Sequence, residues 1–148
     1  MKAGLPSKQK GAVAIEFAVV FVIFFAVFYG VVSYSLPFVL MQSFNHATAE
    51  AVRRSVAVDP NTPGYAIVVQ NTATSTLQQQ LSWMPSALDL VIGADTSAVY
   101  NTGNGTLTVS VNYPTRKLNR VIPFLVLPGV GSVPNLPANL SATSSLQF

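Results

Sequence analysis

From Ala12 to Leu36 the chain runs for 25 residues in which Glu16 is the only ionisable group besides two tyrosine phenols. A helix needs about 20 apolar residues to cross the hydrocarbon core, so the run predicts a membrane-spanning helix over 12–36. A secretory signal would be shorter, about 7–15 apolar residues, with a small-residue cleavage site behind it; here the candidate cleavage site lies ahead of the run. Pro37 is expected to kink the helix or free part of its backbone, since it lacks an N–H and crowds the preceding turn. Beyond it, Leu40, Phe44, Ala47, Ala51 and Ser55 recur at helical spacing, and Glu50 precedes Arg54 by four on another face. That pattern predicts an amphipathic extension over 37–58. At 1.5 Å per residue, a helix from Ala12 to about Val58 is on the order of 70 Å long and projects well beyond a bilayer.

Asp59-Pro60-Asn61-Thr62-Pro63-Gly64 stops the helix, and a small head follows. Ile67, Val68, Thr72, Leu77, Leu81 and Met84 predict a shorter helix over 65–84, ended by Pro85. Ala87–Ile92 reads as a strand. Ala98–Tyr100 and Thr106–Tyr113 flank the turn residues Asn101–Gly105 and read as a hairpin. In Thr106–Tyr113 the apolar Leu107, Val109, Val111 and Tyr113 alternate with polar residues, so one face packs on a core. A last strand is expected within Ala138–Phe148. Val121–Val133 is apolar but broken by Pro123, Pro128, Gly129 and Gly131, too short for a second span. It reads as an irregular segment covering the sheet, ahead of a membrane-contacting or partner-docking loop. The expected fold is α+β: a long N-terminal transmembrane helix packed on a small extracytoplasmic head with a short helix and an antiparallel sheet. The segments are a leader (1–11), the span (12–36), its extension (37–58) and the head (59–148).

Charge sets the orientation. Only 9% of the 148 residues are charged and half are hydrophobic, for a mean hydropathy of +0.46. Lys2, Lys8 and Lys10 precede the span with no acid among them, which holds that end in the cytoplasm. These lysines supply much of the net +3, so the basic balance is no argument for nucleic-acid binding. Without cysteine the chain forms neither disulfides nor thiolate sites, and His46 is its only histidine, which excludes a multi-histidine metal site. Asp59, Asp89 and Asp95 lack catalytic or calcium-loop spacing. Gly103-Asn104-Gly105 lacks the lysine and following helix of a phosphate loop. No metal, cofactor or enzymatic activity is expected. Arg116, Lys117 and Arg120 read first as a solvated loop and second as a contact for anionic headgroups or a neighbouring subunit.

Glu16 needs a reason, because a carboxylate at the bilayer centre costs up to about 2.5–3.5 kcal/mol on insertion scales. Lys10-Gly11-Ala12-Val13-Ala14-Ile15-Glu16-Phe17 resembles the glycine, apolar spacer, glutamate and aromatic that open the membrane helix of TadE-like proteins. These are minor pilins or pseudopilins of the tight-adherence (Flp, type IVb) pilus system of bacteria. Asn45-His46-Ala47-Thr48-Ala49-Glu50-Ala51-Val52-Arg53 is similar to the alanine-rich end of that family's long helix, with Asn45, Ala47, Glu50, Ala51 and Arg53 carrying the likeness. The resemblance covers the first 54 residues well and the rest in outline. It implies processing by a prepilin peptidase after Gly11, leaving Ala12 as the new N-terminus. The partners it implies are other pilins or pseudopilins and an inner-membrane assembly platform, with the head periplasmic or carried into the pilus. Glu16, with Phe17 beside it, could then pair with an α-amino group of its own or a neighbouring chain and set subunit register. The roughly 90 residues beyond Val58 favour a minor subunit over a major pilin, which would be little more than the helix. An unprocessed single-span protein whose head binds an envelope partner is the alternative.

Overall fold

The structure is a computed structural model that describes residues 8–127, 129 and 131–148, with side chains from Gly11 onward. Most of the expected leader (1–7), and Pro128 and Val130 of the broken apolar segment, lie outside the described residues. Helix α1 (Lys8–Ser55) is assigned as one element, starting ahead of the expected Ala12 and continuing through Pro37. The helix continues through Pro37 without a break, and the missing N–H there leaves the Ser33 carbonyl without its donor four residues on. Around it, the Ser33 and Ser35 hydroxyls donate to the carbonyls of Gly30 and Val32 at 3.0 and 2.7 Å. Valine and phenylalanine are middling helix formers, but in an apolar medium a helix satisfies its own backbone without help. At the far end α1 stops at Ser55 and not near Val58. There Ala57 and Val58 shift to three-residue hydrogen bonds, at 3.2 and 3.3 Å, a common tightening of a last turn.

Helix α2 (Tyr65–Gln80) starts after Gly64, whose φ of 71° suits glycine. It ends four residues before the expected Met84, since Ser82 and Trp83 are exposed and Pro85 disfavours helical backbone just before it. Strands β1 (Thr96–Asn101), β2 (Thr106–Pro114) and β5 (Asn139–Gln147) form an antiparallel sheet in the order β1-β2-β5. Val99 pairs with Thr108, and Val109 with Ser144. The hairpin expected from Ala98 to Tyr113 is therefore present. Gly105 sits in its turn at φ 65°, where a Cβ would come 2.7 Å from the Phe148 carbonyl oxygen. Leu107, Val109, Val111 and Tyr113 of β2, with Leu140 and Ala142 of β5, are buried toward the two helices. Opposite them stands the stripe of α1: Leu40, Phe44, Ala47, Ala51 and Ser55 are all fully buried.

Two segments differ from expectation. Ala87–Ile92 is not a strand: Ser86–Leu88 is a 3₁₀ turn and Asp89 takes φ 52°. Its backbone polar groups find side chains instead of a ladder. Tyr113 Oη donates to the Leu88 carbonyl at 2.6 Å, Lys117 Nζ to that of Asp89 at 2.7 Å, and the Val91 N–H to Asp95 Oδ2 at 2.7 Å. The broken apolar segment forms a short hairpin of β3 (Leu125–Leu127) and β4 (Gly131–Val133), paired Leu125 to Val133 and Val126 to Ser132. Instead of covering the sheet, it lies beside the apolar half of α1.

Candidate assembly and anchoring site

Helix α1 has two halves with different surroundings. From Gly11 to Phe28 every side chain is exposed, and Phe17 keeps 69% of its surface open. No such helix is at rest in water, because this much contiguous apolar surface marks a membrane or protein contact. Phe17, Phe21, Phe25 and Tyr29 stack along one face at four-residue spacing, with ring centroids 6.1, 6.3 and 6.4 Å apart. The spacing was visible in the sequence, although its use was not. Phe21, Phe25 and Tyr29 line one side of an open apolar cavity of about 470 Å³ whose other side is formed by Leu125, Leu127 and Val133. The Tyr29 hydroxyl donates to the Pro123 carbonyl, and the Asn135 N–H donates to the Tyr34 hydroxyl at 2.8 Å. Both ends of the β3–β4 segment are thus tied to the helix.

Gly11 and Ala12 lie within the first turns of α1, near a helix end, where fraying is cheapest. Nothing would meet a side chain added at Gly11. Glu16 and Phe17 stand exposed one turn further on, and among the described residues Glu16 has no ion-pair partner.

The second stretch named from the sequence has a different character. Ala47 and Ala51 are fully buried, small enough to let the head close onto the helix. Asn45 is exposed and its amide donates to the Met41 carbonyl at 2.9 Å. Glu50 receives Nε and Nη2 of Arg53 at 2.7 and 2.8 Å and Nε of Arg54 at 2.7 Å. Those hydrogen bonds hold its carboxyl down at about 2. Arg54 also donates to Gln79 of α2 at 2.8 Å, tying the two helices together. His46 is exposed at the rim of the α1–α2 junction, beside Gln80 and Trp83.

The basic trio is divided. Lys117 is mostly buried, 15% exposed, in an ion pair of 2.6 Å with Asp95, itself 8% exposed. It clasps the 86–95 segment against the 3₁₀ turn Thr115–Arg120 and is not presented to solvent. Arg120 reaches Asp89 at 3.2 Å on the surface, and Arg116 is exposed without an ion pair among the described residues. Among those same residues no three His, Asp or Glu side chains converge as a metal site.

Residues 11–53 match the model of a protein family described as TadE-like protein. The N-terminal helix is similar to that of TadE-like proteins. The matched stretch lies wholly within α1 and takes in the exposed apolar half, Glu16 and the buried stripe as far as Arg53. TadE-like proteins are a pilus-associated structural family, and α1 is long and apolar enough to cross a membrane. No curated protein and no solved structure matches the chain. The matched stretch includes most of the stripe on which the head packs.

Proposed function

We propose that this chain is a minor pilin or pseudopilin, a non-enzymatic accessory subunit in the biogenesis of a Flp/Tad-type adhesive pilus. A prepilin peptidase cleaves after Gly11. The head is held outside the inner membrane and contacts other pilins and the assembly platform. One observation carries the reading: the TadE-like match falls on a helix whose first half is exposed and apolar and whose second half is the buried spine of a head. Such a helix fits two apolar surroundings, lipid before assembly and neighbouring helices after it. Burial among either is favourable, since lipid tails and apolar side chains are alike in polarity. Glu16 is the group that distinguishes them, because a new amine at Ala12 four residues away, or one on a neighbour, would offset its desolvation.

The test is the mature N-terminus, read by mass spectrometry of membrane-extracted protein from cells with and without the peptidase. A chain beginning at Ala12 only when the peptidase is present supports the proposal, and Gly11 replaced by a bulkier residue should abolish it. Retention of residues 1–11 in both would leave the unprocessed single-span reading. Glu16→Gln should process normally but assemble poorly; unaffected assembly would remove the register role of the carboxylate.

A further inference from the structure

We propose that the β3–β4 hairpin is a second membrane element, inserted into the outer leaflet alongside α1 and holding the helix at a fixed depth. The inference rests on reading α1 as membrane-spanning. The footprint of the head on α1 begins at Ser33 and continues through Pro37, Leu40 and Phe44, all buried. Apart from contacts with the hairpin segment, Ala12–Val32, 21 residues, remain outside it, close to the roughly 20 that cross a hydrocarbon core. The head accordingly rests on the bilayer surface with no spacer. The hairpin segment is tied at Tyr29 and Tyr34, residues of the type enriched at membrane interfaces. Its cavity reaches down to Phe21, eight residues or about 12 Å below Tyr29 along the helix. That level is inside the span.

The side chains suit that location. In a two-residue repeat, Leu125, Leu127 and Val133 face the aromatic ladder of α1 while Val126 points away, 78% exposed. No charged residue occurs between Arg120 and Phe148. Arg120, three residues before Pro123 and so within about 11 Å of it along the chain, is exposed where headgroups would lie. Backbone left unpaired in hydrocarbon is costly, and non-helical backbone at that depth survives only against protein or water. The hairpin meets this condition in part by its own ladder and by its two tyrosine ties to α1, which fits its being short.

Because the chain has no cysteine, single labels are direct. Val126→Cys, Phe21→Cys and Val99→Cys, each at an exposed position, would carry an environment-sensitive fluorophore in the full chain. One copy per phosphatidylethanolamine/phosphatidylglycerol nanodisc is then quenched by acyl-chain nitroxide lipid or by aqueous iodide. The expected result is loss of fluorescence to the lipid quencher at 126 and 21, and to iodide at 99. Lipid quenching at 21 with iodide quenching at 126 would overturn the inference while leaving the span intact. Protection of 126 from both quenchers would overturn it in favour of a protein contact. Iodide quenching at 21 would instead refute the spanning reading on which the inference rests.

Discussion

Phe38 and Phe44 are six residues apart in one helix, equal in hydropathy, and should respond oppositely to truncation. Phe44 is fully buried, its ring 5.8 Å from that of Tyr113 and tilted by 47°, with Leu40, Ala47 and β2 in the same core. Phe44→Ala removes the ring and leaves a cavity the head cannot fully close, at a cost of about 3–5 kcal/mol. Small domains are stable by only about 5–15 kcal/mol, so this is a large share of the total, and the folded-to-unfolded ratio falls by roughly a hundredfold or more. Converted at about 4–8 °C per kcal/mol for a head of this size, the midpoint drops by at least about 12 °C. Phe38 is 65% exposed, and Phe38→Ala should stay within about 0.5 kcal/mol. Thermal unfolding of the full chain in detergent, followed by near-ultraviolet circular dichroism and by Trp83, the one tryptophan, reads both. Equal losses, or a Phe44→Ala midpoint within a few degrees of the parent, would refute the placement of the head on this face of α1.

Glu50 offers a test by pH. Its folded-state value of about 2 lies below the ordinary 4.5, so its contribution is present above about 4.5 and lost as pH falls toward 2. The midpoint difference between the parent and Glu50→Gln should be constant from pH 7 to 5 and shrink below that; a flat difference would mean the arginines do not hold the carboxylate. Lys117→Met strands the Asp95 carboxylate in a nearly closed site and should cost about 3–5 kcal/mol. Adding Asp95→Asn should recover part of this, because the amide oxygen can still accept from the Val91 N–H. A double-mutant cycle on thermal midpoints checks it, and additive losses would count against the clasp.

What was legible in the sequence was what depends on local period. The stripe from Leu40 to Ser55 has helical spacing and every member is buried; the alternation in β2 has a period of two and every apolar member is buried. Ala87–Ile92 is an apolar run interrupted only by Asp89, yet it forms no ladder, because its partners are the side chains of Tyr113, Lys117 and Asp95, whose proximity is a matter of topology. For the same reason three neighbouring cations could not be sorted in advance into one clasped lysine and two surface arginines. The hairpin at 125–133 is placed by contacts with Tyr29 and Tyr34 about a hundred residues away, which no window of sequence reports. Gly11 and Glu16 were conspicuous by composition alone, since one charge in an apolar run cannot be a packing choice.

The two halves of α1 also constrain each other. Ser33 is fully buried and its hydroxyl is spent on the Gly30 carbonyl, while its own carbonyl stands four residues before Pro37, which has no N–H to give it; the head begins on a residue that carries no net charge. With no solvated linker between the span and the first buried turn, the head cannot swing on its anchor; tilt of the helix is tilt of the head. If the β3–β4 hairpin is inserted as proposed, displacing α1 along the membrane normal would drag the head surface and the hairpin with it, bringing Val126 into water or Arg120 into lipid. Either change is unfavourable in its new medium. Extraction under the proposed function thus becomes a single cooperative step, in which lipid contacts along the exposed half are exchanged together for protein ones.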